Sequence, residues 1–145
     1  MTSPKVKLST DSLQYLALFE NVARARPIDI VEFMDSELIF FVKKEEMFMI
    51  DLNPSKPLNR LSRMLNKRVK IFAYSESPEE FISCLFRQVK VELVDVSSVK
   101  DGRKIAYVKV SEKDKGKAIG MGGANAKRAS FLAKRYFDID LVKIM

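Results

Sequence analysis

Three of the chain's five glycines, Gly120, Gly122 and Gly123, fall within four residues, and basic side chains stand on both sides of them. The full stretch reads Lys115-Gly116-Lys117-Ala118-Ile119-Gly120-Met121-Gly122-Gly123-Ala124-Asn125-Ala126-Lys127-Arg128-Ala129. Glycine enters φ > 0 without a Cβ penalty and lets another backbone come close. The pattern predicts a short helix that stops sharply, a tight turn, and a second helix whose first amides face outward. Such amides are unpaired donors at the positive end of a helix, a ready site for an anion. With Lys117, Lys127 and Arg128 around the turn, the anion that fits is a phosphate.

Three glycine-loop chemistries compete for this stretch. A dinucleotide fingerprint needs G-x-G-x-x-G directly after a strand. Counted from Gly120, its last position is Asn125, and the nearest strand-like run ends at Val110. A P-loop needs Gly-Lys followed by Ser or Thr, and here Ala118 follows Gly116-Lys117. Both fail. The third is the KH module, in which a G-x-x-G loop between two helices clamps single-stranded nucleic acid. Gly120-Met121-Gly122-Gly123 fits it, with a glycine cap between two packed helices as the plain alternative. In the KH reading the amides of Met121, Gly122 and Gly123 face phosphates, and Lys117, Lys127 and Arg128 supply charge. Ile119 and Ala126, with Val108 or Val110, floor an apolar groove for unstacked bases. Asn125 serves as a loop cap or reads a base edge, the cap being favoured. Met121 packs on a base or is merely exposed.

The elements that position this loop follow from periodicity. Ser9 or Thr10 can cap a first helix, on which Tyr15, Leu18, Phe19 and Val22 form an i, i+3, i+4, i+7 stripe closed by Pro27. Strands are predicted at 28–33 and 38–42, with Asp35-Ser36 as the turn between them. A short helix at 46–51, a break at Leu52-Asn53-Pro54-Ser55-Lys56-Pro57, a helix to Leu65 and a strand at 69–74 complete the set. Ser77-Pro78-Glu79-Glu80 then restarts the pattern as a capping box with proline at the first helical position. Ile82, Phe86 and Val89 are its expected apolar face. Strands follow at 89–96 and 105–110 around the Asp101-Gly102 hairpin signal, then the helix-turn-helix at Gly120 and a strand at 141–144.

The order α-β-β-α-α-β therefore occurs twice, an internal duplication of architecture. The expected fold is α+β, with two such domains in tandem, residues 1–75 and 76–145, packed together because each is near the lower size limit for a core of its own. A gapless superposition at Arg60 and Arg128 sets Leu52-Asn53-Pro54-Ser55 opposite Gly120-Met121-Gly122-Gly123. Pro54 has no N–H to donate, so the first loop has lost the phosphate-cradling chemistry. On the last helix, Lys127, Arg128, Phe131, Lys134 and Arg135 share one face by helical projection, opposite Ala126, Ala129, Leu132, Ala133 and Tyr136. Phe131 stands alone there as a large apolar residue, a contact to the first domain or a stacking platform for RNA.

Charge is placed unevenly. Residues 1–99 hold 14 Lys+Arg against 14 Asp+Glu, whereas residues 100–145 hold 12 against 5, so the net charge of +7 sits in the last third. A one-ended basic excess points to a polyanion. The chain has a single cysteine, Cys84, and no histidine, which removes internal disulfides, His-based triads and the usual zinc sites. Cys84, in an apolar stretch, is expected to be a packing residue. No apolar run reaches the length of a membrane span. The opening Met1-Thr2-Ser3-Pro4-Lys5-Val6-Lys7 has no apolar signal region behind it, so a cytoplasmic location is expected.

The chain resembles the archaeal NusA-like transcription factors, which have two tandem type II KH domains without the other domains of bacterial NusA. The resemblance rests on the stretch from Lys115 to Ala129, on Ala133-Lys134-Arg135-Tyr136-Phe137-Asp138-Ile139-Asp140, and on Tyr74-Ser75-Glu76-Ser77-Pro78-Glu79-Glu80-Phe81. It implies single-stranded RNA binding in transcription termination or antitermination. Met121 stands where the family's loop carries a lysine. The expected RNA-binding residues are Lys117, Ile119, Gly120, Met121, Gly122, Gly123, Asn125, Ala126, Lys127 and Arg128. RNA is the expected partner and RNA polymerase a candidate second one. The chain is expected to be a monomer without cofactor, metal, membrane association or enzymatic activity. The rival readings are a protein-interaction module docking on RNA polymerase, and a KH protein acting on ribosomal RNA.

Overall fold

The computed structural model describes residues 10–34 and 37–145, with side chains from Leu13 onward. Ser9, one of the two expected caps, and the turn at Asp35-Ser36 lie outside the described residues, and Thr10, the other, is the first residue of the first helix. The chain divides into two compact units between Tyr74 and Ser75. Each is a mixed α+β unit built on a three-stranded sheet.

The N-terminal unit runs α1 (Thr10–Ala23), β1 (Asp29–Phe33), β2 (Glu37–Val42), α2 (Lys44–Leu52), α3 (Pro57–Leu65) and β3 (Arg68–Ala73). Its central strand β2 pairs antiparallel with β1 and parallel with β3. The unbroken apolar run Leu38-Ile39-Phe40-Phe41-Val42 is a strand covered on both faces, and each of these side chains is buried. Phe19 of α1 stacks on Phe40 with ring centroids 4.4 Å apart. Burying side chains of this kind stabilises by about 1.5–3 kcal/mol each. Helix α1 stops at Ala23, before Pro27, because Arg24 turns left-handed at φ 58°.

The C-terminal unit runs α4 (Pro78–Leu85), β4 (Leu93–Ser98), β5 (Lys104–Lys109), α5 (Lys115–Ile119), α6 (Ala124–Phe137) and β6 (Leu141–Ile144), with short 3-10 turns at Glu112–Asp114 and Met121–Gly123. Again the central strand, β5, pairs antiparallel with one neighbour and parallel with the other. Ser77 caps α4 by accepting from the Glu80 amide at 3.4 Å, with Pro78 at the first helical position. Phe81 meets Tyr136 and Phe137 of α6 edge-on at 5.4 and 5.0 Å. Ser130 ties α6 to β6, its Oγ accepting from the Val142 amide at 2.9 Å.

Two boundaries differ from expectation by more than two residues. Helix α4 ends at Leu85, so its buried face is Phe81, Ile82 and Leu85, and Val89 lies beyond it. Strand β4 begins at Leu93 rather than at residue 89. The Val89 and Val91 alternation mimics a strand, but β5 ends opposite Leu93, at Lys109, leaving little to pair with residues 89–92. The hairpin turn is as expected: Gly102 takes φ 88°, its amide donates to the Val99 carbonyl, and Asp101 accepts from the Arg103 amide. No helix among the described residues is long and apolar enough to cross a membrane.

Candidate nucleic-acid interface

The glycine turn is built from conformations that ordinary residues avoid. Gly120 ends α5 at φ 82° and ψ 167°, a region essentially confined to glycine. A Cβ there would stand 2.9 Å from Asn125 Cγ and Nδ2, so the position also demands the close approach that only glycine permits. Gly122 and Gly123 follow in the left-handed region at φ 63° and 77°. The turn closes on itself: the Gly123 amide donates to the Gly120 carbonyl at 3.0 Å, and the Ala124 amide donates to the Met121 carbonyl. The Gly123 amide, expected to face a phosphate, is therefore spent inside the turn. The amides of Met121 and Gly122 lie outside these bonds, and Met121 stands at the apex, 95% exposed.

Asn125 braces the two helices. Its Nδ2 donates to the Lys117 carbonyl at 3.2 Å, and its Oδ1 accepts from Arg128 Nη1 at 2.9 Å. The structure thus corrects the basic face drawn by helical projection. Arg128 is only 7% exposed; one turn beyond Asn125 it meets the amide oxygen, and its guanidinium works inside the fold. Lys134 is exposed but held by Asp138 and Asp140 at 2.8 and 2.9 Å, and these carboxylates raise its pKa. The Lys134 hydrogen bond and the Lys104 amide hold the Asp140 carboxyl below its usual range. The exposed cations nearest the turn in the sequence are Lys117 and Lys127. A Cβ at Gly123 would lie 3.7 Å from Lys127 Cε, so that side chain runs along the turn.

Ile119 and Ala126 flank the turn half-buried. Val108 and Val110 do not floor a groove; both are buried, Val108 on the same face of β5 as Ala106. Phe131 is partly exposed and Cys84 half-buried in α4. Among the described residues, no group of three or more carboxylate or thiol side chains could hold a metal ion.

The corresponding loop of the N-terminal unit also spans four residues, between α2 and α3. The helix ends pair Leu52 with Ile119 and Pro57 with Ala124, so the true match is Asn53-Pro54-Ser55-Lys56 with Gly120-Met121-Gly122-Gly123, one residue along from the gapless superposition. Backbone shape supports it: Lys56, like Gly123, is left-handed and precedes the helix. Pro54 has no amide where Met121 offers one. The Ser55 amide, opposite that of Gly122, donates to Asn53 Oδ1 at 2.9 Å, and the Ser55 hydroxyl donates to the same oxygen. This Asx turn is legible as Asn followed two residues later by Ser, a signal masked by the one-residue offset.

Comparison with known proteins places the second unit first: the model of the NusA-like second KH domain matches residues 78–144. Along nearly its whole length the chain is similar to the "Probable transcription termination protein NusA" of Halococcus morrhuae, 30% identical over 141 residues that cover 97% of this chain and 99% of that one. The protein of the same name from Methanocaldococcus jannaschii is 27% identical over 142 residues, 97% of this chain and 76% of the relative. Among solved structures, the crystal structure of APE1850 superposes with a TM-score of 0.79 at 29% identity, covering 95% of this chain and all of that one.

Proposed function

We propose, from the premise that this chain belongs to the archaeal NusA-like family, that it is a non-enzymatic transcription factor that binds single-stranded RNA and acts in termination or antitermination. The two units are tandem type II KH domains, 1–75 and 76–145, and the second is the one that holds RNA. The observation that carries this reading is the glycine turn, whose closing bonds leave out the amides of the exposed residues Met121 and Gly122, with exposed Lys117 and Lys127 on either side in the sequence. An RNA phosphate accepts from those amides while the lysines neutralise its neighbours, and Ile119, Ala126 and the exposed Met121 side chain offer apolar contact to the bases. Gly120 and Asn125 act indirectly, by holding the turn in shape, and Arg128 acts through Asn125. Relatives named as termination proteins support placing the RNA contact in transcription. The protein works in the cytoplasm as a monomer, with the transcribing polymerase as its second partner.

A salt titration tests the electrostatic core of this reading. With about four to six phosphates neutralised, log K against log salt for a short single-stranded RNA should fall with a slope of roughly −3 to −4, at ~0.7 per contact. A salt-independent affinity would remove phosphate contact as the basis of binding.

A further inference from the structure

Residues 1–99 balance in charge only as an average. From Leu52 to Ser75 there is no acidic residue, and there are six basic ones: Lys56, Arg60, Arg63, Lys67, Arg68 and Lys70. Helix α3 lies in this stretch. Lys56 precedes it, and the Lys56 carbonyl accepts from the Arg60 amide at 3.2 Å, so Arg60 stands one turn further on. Positions i, i+4 and i+7 share one side of a helix. Lys56, Arg60 and Arg63 therefore form a basic stripe, turned away from the buried Pro57 and Leu61. All three are exposed, and none makes an ion pair with a described residue.

The correspondence set by the helix ends places Arg60 opposite Lys127, each the fourth residue of the helix that follows its loop. The next residues, Leu61 and Arg128, are both buried, so the two helices turn the same side inward. The N-terminal unit has thus closed the amides of its loop while keeping a cation where the other unit carries exposed Lys127. We infer that α3 is a second contact for the RNA backbone, in which Lys56, Arg60 and Arg63 take phosphates through their side chains alone. This inference rests on the RNA reading of the other unit and extends it to a longer strand. A guanidinium meets phosphate oxygens with two parallel hydrogen bonds. Helix α3 has no aromatic residue for a base to stack on, so the contact follows the backbone and reads no sequence. A strand that reaches both units gains affinity because its second contact is intramolecular. An acidic protein segment is the other anion such a stripe could take, and the equivalence of Arg60 with Lys127 favours RNA.

The test compares two oligouridines on the full chain across a salt series. One has about four nucleotides, the number a KH loop clamps, and the other roughly sixteen. The double variant Arg60→Gln, Arg63→Gln removes both charges from exposed positions, and circular dichroism reports that the fold is kept. For the long RNA its salt slope should be shallower by about 1.4, two contacts at ~0.7 each, and its affinity weaker by roughly fivefold. The short RNA should bind the variant as it binds the parent. Arg60→Lys, Arg63→Lys keeps the charge and should restore the slope. An unchanged slope for the long RNA in the glutamine variant overturns this inference while leaving the RNA reading of the glycine turn intact. A parent chain that binds neither RNA overturns both. The inference also falls if the lysine variant loses the slope as the glutamine variant does. It falls equally if an oligoglutamate of the same charge shifts the Arg60 and Arg63 side-chain NMR signals at lower concentration than the long RNA, which would assign the stripe to an acidic protein.

Discussion

Two four-residue loops occupy equivalent places in the two units, and they differ in where their backbone donors go. In the loop at Gly120, three glycines adopt positive φ, and the turn spends only the Gly123 and Ala124 amides on its own closure. In the loop at Asn53, proline deletes one donor, and the Asn53 side chain takes up the next. The Lys56 amide goes to the Asn53 carbonyl at 3.2 Å, so that loop is internally satisfied. The fold tolerates either chemistry because the helix ends and the left-handed residue before the second helix are kept. What changes is whether donors are left for a ligand. A buried or structured backbone must account for every donor, and the two loops settle that account in opposite ways.

The sharpest way to break this comparison is Gly122→Asp. A Cβ at Gly122 meets nothing within 4 Å, and aspartate is among the residues that tolerate the left-handed region. The fold should therefore survive while a negative group stands on the phosphate path. RNA affinity should fall by roughly 10- to 100-fold, the scale of lost charge-assisted hydrogen bonds at about 1.5–3 kcal/mol. Fluorescence anisotropy with a short single-stranded RNA measures this, with circular dichroism as the folding control. Unchanged affinity would mean that the open amides hold no phosphate.

A second pair of variants separates two neighbouring cations. Arg128→Ala removes the donor to Asn125 Oδ1 from a buried position and should lower stability by about 1–3 kcal/mol in thermal or denaturant unfolding. Lys127→Ala should leave stability within about 0.5 kcal/mol and instead reduce the salt slope of RNA binding by ~0.7, alike for different RNA sequences. If the two variants exchanged these effects, Arg128 would be the phosphate ligand after all.

The smallest effect is expected at the first loop. Asn53→Asp keeps the oxygen that accepts from Ser55, so the Asx turn persists with one added negative charge. RNA affinity should change by less than about 0.5 kcal/mol, a scale taken from ordinary surface substitutions. A loss comparable with that of Gly122→Asp would show that both loops hold RNA.

Much of this molecule was legible before any coordinates, because the signals are local. Pro78 after Ser77, Asp101-Gly102 and the glycine cluster each act over a few residues, and each stands where expected, since capping and positive φ are properties of short stretches. What only the tertiary structure decided involves partners distant in sequence or a choice among nearby ones. Where β4 begins depends on where β5 ends. The fate of Arg128 depends on whether its guanidinium turns to solvent or back to Asn125, and a helical projection assigns direction without knowing what lies there. The loop correspondence shifted by one residue because helix ends, not residue identities, set it.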